Sequence, residues 1–231
     1  MAPSTPRQRA PHQLPAGRHG LSKTFVTRNQ RERLLAAVAE VVAATGYASM
    51  TVEDVISAAG VSRRTFYDHF KSKDRVFLAA YDAVIAELTA RAEEAFAAGT
   101  GLVDRADAVI SGLVDFFVEN PDELTLCVVE VLAAGPAALE RRTQTMRWFA
   151  DLLDRAATDV AKSKRPPAVV AESLVGGIYE ILYSRALRGE IAELPGLVPD
   201  LLYSTALPYV GPEQATEARK VARSRRRPRA S

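Results

Sequence analysis

Histidine and cysteine are scarce in this chain, and the few present are poorly placed for chemistry. The histidines are His12, His19 and His69, and the single cysteine is Cys127. A histidine-containing triad, a His-ligated zinc site or a cysteine cluster cannot be assembled in the larger, later part of the chain from its own residues. No glycine-rich phosphate loop follows a strand, and no segment reads as a strand at all. The expectation is no catalytic residue, no metal and no cofactor. An apolar run of about 18 residues is also missing, so no membrane span is expected. The N-terminus has arginines but lacks the apolar core of a secretory signal. One cysteine cannot form an internal disulfide, which points to a reducing cytoplasm.

Charge is present but unevenly spread. The whole chain carries +2, yet residues 1–31 hold Arg7, Arg9, Arg18, Lys23, Arg28 and Arg31 with no acid. Residues 212–231 hold seven cations, from Arg219 to Arg229, against Glu213 and Glu217. The middle is therefore strongly acidic. Within it lies a basic island at 61–75, carrying Arg63, Arg64, Lys71, Lys73 and Arg75 against Asp68 and Asp74. Such islands on an acidic body attract polyanions. Residues 1–26, with Pro3, Pro6, Pro11 and Pro15, lack periodicity and read as a disordered basic leader; 212–231 read as a disordered basic tail.

The island sits in the segment 49–76, SMTVEDVISAAGVSRRTFYDHFKSKDRV. Thr51 is a hydroxyl N-cap for a helix with Val52, Val55, Ile56 and Ala59 at helical spacing. Gly60 ends that helix, Val61 is the apolar residue of the turn, and Ser62 caps a second short helix. Two short capped helices joined through a glycine are a helix-turn-helix. The second is too polar and basic for a core and suits the major groove of DNA. Arg63, Arg64 and Thr65, in its first turn, are assigned direct base contact, an Arg to guanine and a Thr methyl to thymine. Thr51 and Lys73 begin flanking helices, where N–H groups and dipoles face phosphates. Phe66 and Phe70 are expected to pack inward.

The run from Arg31 to Leu88 resembles the DNA-binding domain of the TetR family of transcriptional repressors. Matching elements are the first helix ending at Gly46-Tyr47, Thr51-Val52, Ala59-Gly60-Val61-Ser62, Thr65-Phe66-Tyr67-Asp68-His69-Phe70 and Ser72-Lys73-Asp74. They cover about a quarter of the chain. Arg64 departs from the pattern, since many members carry a small residue there. The resemblance implies that Tyr67 and His69 touch phosphate or groove edge, and that the body holds a ligand cavity.

The rest reads as helices only, giving an all-α fold of about nine helices. A three-helix head (27–82) is followed by a body (83–211) for effector binding and dimerisation. The first helix runs from about Asn29 to Ala44, and the fourth starts at Ser72 and links head to body. Gly99-Thr100-Gly101 opens the body. Helices at roughly 103–119, 121–135, 137–162, 168–188 and 197–209 are marked off by Asn120-Pro121, Gly135-Pro136, Pro166-Pro167 and Gly189. Phe116, Cys127, Trp148 and Tyr179 are the candidate ligand lining, against the plainer alternative of core packing. Glu130, inside an apolar run, can meet a cationic ligand but reads better as a solvated carboxylate. Helix 168–188 is apolar on two faces and demands two partners. Leu174, Gly177, Ile178 and Ile181, with Leu202 of the last helix, are assigned to a homodimer interface.

The function expected is a cytoplasmic, nucleoid-associated transcriptional regulator, a repressor. It binds a palindromic operator in double-stranded DNA as a homodimer and is released by a small-molecule effector. Two rivals belong to other classes: an architectural DNA-binding protein without effector, and an enzyme with an accessory DNA-binding head.

Overall fold

The computed structural model describes residues 23–161 and 165–226. Those residues form nine α-helices and short π and 3-10 turns, with no strand among them. None of the helices is long and apolar enough to cross a membrane. The leader expected at 1–26 lies outside the described residues up to position 22. From there it is corrected, because helix α1 (Lys23–Thr45) has already begun at Lys23.

The head is built by local signals. Helix α1 ends at Gly46, whose φ of +77° a side chain would resist. Helix α2 (Val52–Ala59) opens with a reciprocal cap: the Thr51 hydroxyl accepts from the Asp54 N–H at 3.2 Å, and the Asp54 carboxylate accepts from the Thr51 N–H at 2.9 Å. It closes at left-handed Gly60, with the Val61 N–H bonded to the Ile56 carbonyl and the Gly60 N–H to that of Ser57, both at 3.2 Å. This doubled closure reverses the chain tightly into Ser62, which caps α3 (Arg63–His69) by accepting from the Thr65 N–H. Leu34, Val38, Val55, Phe66 and Phe77 are fully buried between these helices and α4.

Helix α4 (Lys73–Ala98), capped by Ser72, runs out of the head into the body. It turns into α5 (Gly101–Glu119) through Gly99, where an added Cβ would come within 2.9 Å of the Arg105 backbone nitrogen. After α6 (Pro121–Leu124) the expected regular helix to 135 does not form. Thr125–Val129 is a π turn and Glu130–Leu132 a 3-10 turn. Then come α7 (Pro136–Ala156), α8 (Val169–Leu187) and α9 (Leu194–Arg225), the last broken at Gly211 with φ 81° and ψ 171°.

The second limb of α9 corrects the expected disordered tail for residues 212–225. Ala215 and Ala222 are buried, Ala222 against Ala106 and Leu202. Arg225 pairs with Asp107 at 3.0 Å, Arg226 with Asp115 at 3.5 Å, and Arg219 with Asp200. The cations that read as a solvated tail are the outer face of a helix docked on acidic α5.

Candidate DNA-reading surface and the cavity behind it

Helix α3 presents Arg63, Arg64, Tyr67 and Asp68 to solvent while Phe66 is fully buried beneath them. Arg63 is tied back to Glu53 of α2, both being exposed. Arg64 has no hydrogen bond or ion pair among the described residues, so its five donors stand ready for base edges or phosphate. The Thr65 hydroxyl shares a 2.9 Å hydrogen bond with that of Ser62. Tyr67 stands edge-on against Phe66, ring centroids 5.3 Å apart, which fixes its exposed hydroxyl. His69 is half-buried beside Phe70.

Two expected phosphate contacts are otherwise engaged. The Thr51 hydroxyl donates to Asp54 at 2.6 Å, completing the cap, and these bonds, side chain first and backbone second, hold the Asp54 carboxyl below its usual range. Lys73 is the clearer case. Its ammonium donates to the carbonyls of Tyr47, Ala48 and Met50 at 3.2, 3.4 and 3.2 Å and lies 4.7 Å from the Tyr47 ring centre. An ammonium has three donors, and all three are taken by the loop between α1 and α2. The guanidinium of exposed Arg75 has no partner among the described residues, and exposed Lys71 reaches only the Tyr67 carbonyl. The island's free cations are therefore Arg64 and Arg75. Arg33, not singled out from sequence, donates to the carbonyls of Ala59 and Gly60 and secures the turn before α3. Its partners lie 26 and 27 residues away, beyond any local signal.

Head and body meet at Tyr47. Its hydroxyl donates to Asp74, its ring packs edge-on against Phe77, and its N–H donates to Glu130 at 2.6 Å. Burial first, then Asp74, pushes the Tyr47 phenol up to about 12. Glu130, read as a solvated carboxylate, is instead half-buried and joins the body to the end of α1.

Behind this junction lies an apolar cavity of about 140 Å³ between α4, α5, α7 and α8. Cys127 and Tyr179 line it, as expected. Phe116 and Trp148 do not: Phe116 is buried against Phe117 with Arg91 over its ring, and half-buried Trp148 packs edge-on to Phe149. Their neighbours Phe117 and Phe149 face the cavity instead, one helical position round. Tyr179 donates to the Val128 carbonyl at 2.6 Å, so a cavity wall is fastened to the π turn that leads into Glu130. Burial, and secondarily Glu123, keeps the Cys127 thiol protonated, which argues against a redox role.

The expected interface residues divide. Ile178 lines the cavity, Leu202 is 1% exposed, Leu174 packs on the cluster around Ala157 and Ala206, and Ile181 packs on the main core. Burial removes Leu202 from any outer surface, whereas Leu174, Ile178 and Ile181 each keep part of their surface exposed in the protomer. Gly177 is exposed, and a Cβ built there or on Gly176 meets nothing within 4 Å.

Residues 34–80 match the family model described as "Bacterial regulatory proteins, tetR family". The chain is 27% identical over 114 residues to the HTH-type transcriptional regulator CymR of Pseudomonas putida, a match covering 49% of this chain and 56% of that relative. It is 26% identical over 184 residues to the HTH-type transcriptional regulator EthR of Mycolicibacterium smegmatis, covering 77% and 82%. The chain thus spans little more than half of the first relative. Among solved structures, the regulator FadR from Bacillus subtilis in complex with stearoyl-CoA superposes with a TM-score of 0.68 at 19% identity. That match covers 78% of this chain and 98% of FadR, a likeness of fold.

Proposed function

We propose that this chain, whose residues 34–80 match the tetR family model of bacterial regulatory proteins, is a member of that family and a ligand-responsive transcriptional repressor acting on a palindromic operator as a homodimer. The observation that carries the reading is the single helix α4, which begins beside the DNA-reading helix and forms one wall of the apolar cavity through Tyr81, Ile85, Leu88 and Phe96. A body that only positioned DNA would have no use for a cavity joined to its reading head.

Binding places α3 in the major groove, with Arg64 and Thr65 toward base edges, Arg63 released from Glu53 to join them, and Tyr67, His69 and Arg75 toward the backbone. Two heads read two half-sites about 34–36 Å apart. The second copy docks on the outer face of α8, where Val169 and Leu187 are 61% and 60% exposed on either side of Gly177. Glycine there lets a partner backbone approach closely. An effector entering the cavity displaces the α4 wall and the Tyr179–Val128 contact, and with them the head spacing.

Footprinting of the purified protein on genomic fragments tests the reading, with light scattering for its mass. A protected palindrome bound by dimers is expected. Sequence-blind coating of DNA would favour an architectural protein instead.

A further inference from the structure

The cavity's shape and its unmatched charge specify a ligand. Its lining on α4 extends from Tyr81 to Phe96 and on α7 from Arg142 to Ala156. At 1.5 Å per residue these stretches are each about 20 Å long. A volume of about 140 Å³ drawn out over that length is a slender channel. It accepts an unbranched chain and rejects fused rings, which need width.

Charge is confined to two lining residues, Arg105 and Arg142, and no carboxylate joins them. Arg105, at the Phe96 end, is paired with Asp159 at 3.5 Å. Arg142, at the Tyr81 end, has no ion pair among the described residues. It stacks 4.0 Å from the Tyr179 ring centre, and its Nε, like that of Arg105, is buried without an acceptor, so the missing ion pair is what sets Arg142 apart. The neighbouring groups do not supply a negative charge. Burial raises the phenols of Tyr81 and Tyr179 and the thiol of Cys127, so all three stay neutral. Their hydroxyl hydrogens are already engaged: Tyr81 donates to Thr145, which donates to the Arg141 carbonyl, and Tyr179 donates to Val128. The end of the channel therefore offers one cation with an unused donor. An uncompensated charge beside apolar walls is costly unless a ligand completes the pair.

We infer that the cavity binds an unbranched aliphatic monocarboxylate, its carboxylate on Arg142 and its chain along α4 toward Phe96. The inference rests on the reading of this cavity as the effector site and names the effector's chemistry.

Calorimetry on the DNA-free, full-length protein with decanoate, 1-decanol and adamantane-1-carboxylate tests it. Decanoate is expected to bind at least about tenfold more tightly than the alcohol, as a hydrogen-bonded charge pair requires, and the bulky acid not at all. Arg142→Met should abolish the preference for decanoate while leaving decanol binding unchanged, which also shows that the variant is folded. Equal binding of acid and alcohol to the natural protein, binding of the bulky acid, or loss of decanoate on Arg105→Met instead would overturn the assignment. Operator affinity is measured separately with and without decanoate. Arg142-dependent binding with unchanged DNA affinity removes the repressor reading and keeps the ligand. DNA release by some other compound, with no preference for decanoate over decanol, does the reverse.

Discussion

Glu130→Ala should loosen the joint between the DNA-reading head and the body. The Glu130 carboxylate accepts the Tyr47 N–H at 2.6 Å, across 83 residues of sequence, in a half-buried setting. A hydrogen bond to a charged group contributes about 1.5–3 kcal/mol, and removing the acceptor leaves that N–H unpaired. In a chain of this size each kcal/mol shifts the melting temperature by about 2–4 °C, so a fall of about 3–12 °C is expected. Glu130→Gln keeps a neutral acceptor and should lose about half as much, because charge-assisted bonds are about twice as strong as neutral ones. Thermal melting by circular dichroism reads the stability. Hydrogen exchange at the Tyr47 amide reads the bond itself, and protection there should drop most in the alanine variant. A melting point within about 1 °C of the natural protein, with the Tyr47 amide still protected, would show that the contact joins nothing.

Other perturbations separate the residues of the head. Arg64→Ala should weaken operator binding by about 1–3 kcal/mol and relax preference at particular bases, read by fluorescence anisotropy over a set of operator variants. Uniform loss would make it a phosphate anchor. Lys73→Met should lower thermal stability yet leave the salt dependence of DNA binding unchanged, whereas Arg75→Ala should flatten the log–log salt slope by about 1. The depressed Asp54 carboxyl stabilises the α2 cap above the ordinary carboxylate range, and that stability is lost as pH falls through the folded value. Asp54→Asn should erase this acid-side loss from melting curves taken over pH. Cys127, buried with a raised pKa, should resist thiol-reactive dyes at neutral pH until the protein unfolds.

What was legible in the sequence was local. Thr51, Ser62 and Ser72 cap the helices they were assigned, and Gly60 closes α2, because each acts on groups within four residues. The all-helical class followed from the same punctuation. The ligand lining was off by one position at Phe116 and Trp148 because composition names the right helices but not their rotation. The carbonyl partners of Lys73 lie 23 to 26 residues back and leave no local signal. The docked limb of α9 hid behind its charges. Its buried stripe is alanine, Ala215 and Ala222, which carries little hydropathic contrast.

The π turn at Thr125–Val129 gives the junction a step size. A π turn holds one more residue per hydrogen-bonded ring than an α turn, so it relaxes by expelling a whole residue. Expelling one would rotate everything beyond it by about 100° and advance it by about 1.5 Å. Glu130 is the first residue beyond it. A carboxylate swung by that angle cannot keep a 2.6 Å bond to the Tyr47 N–H. The bond between Glu130 and the Tyr47 N–H therefore depends on the π turn keeping its extra residue, and a one-residue deletion within Thr125–Val129 would break it.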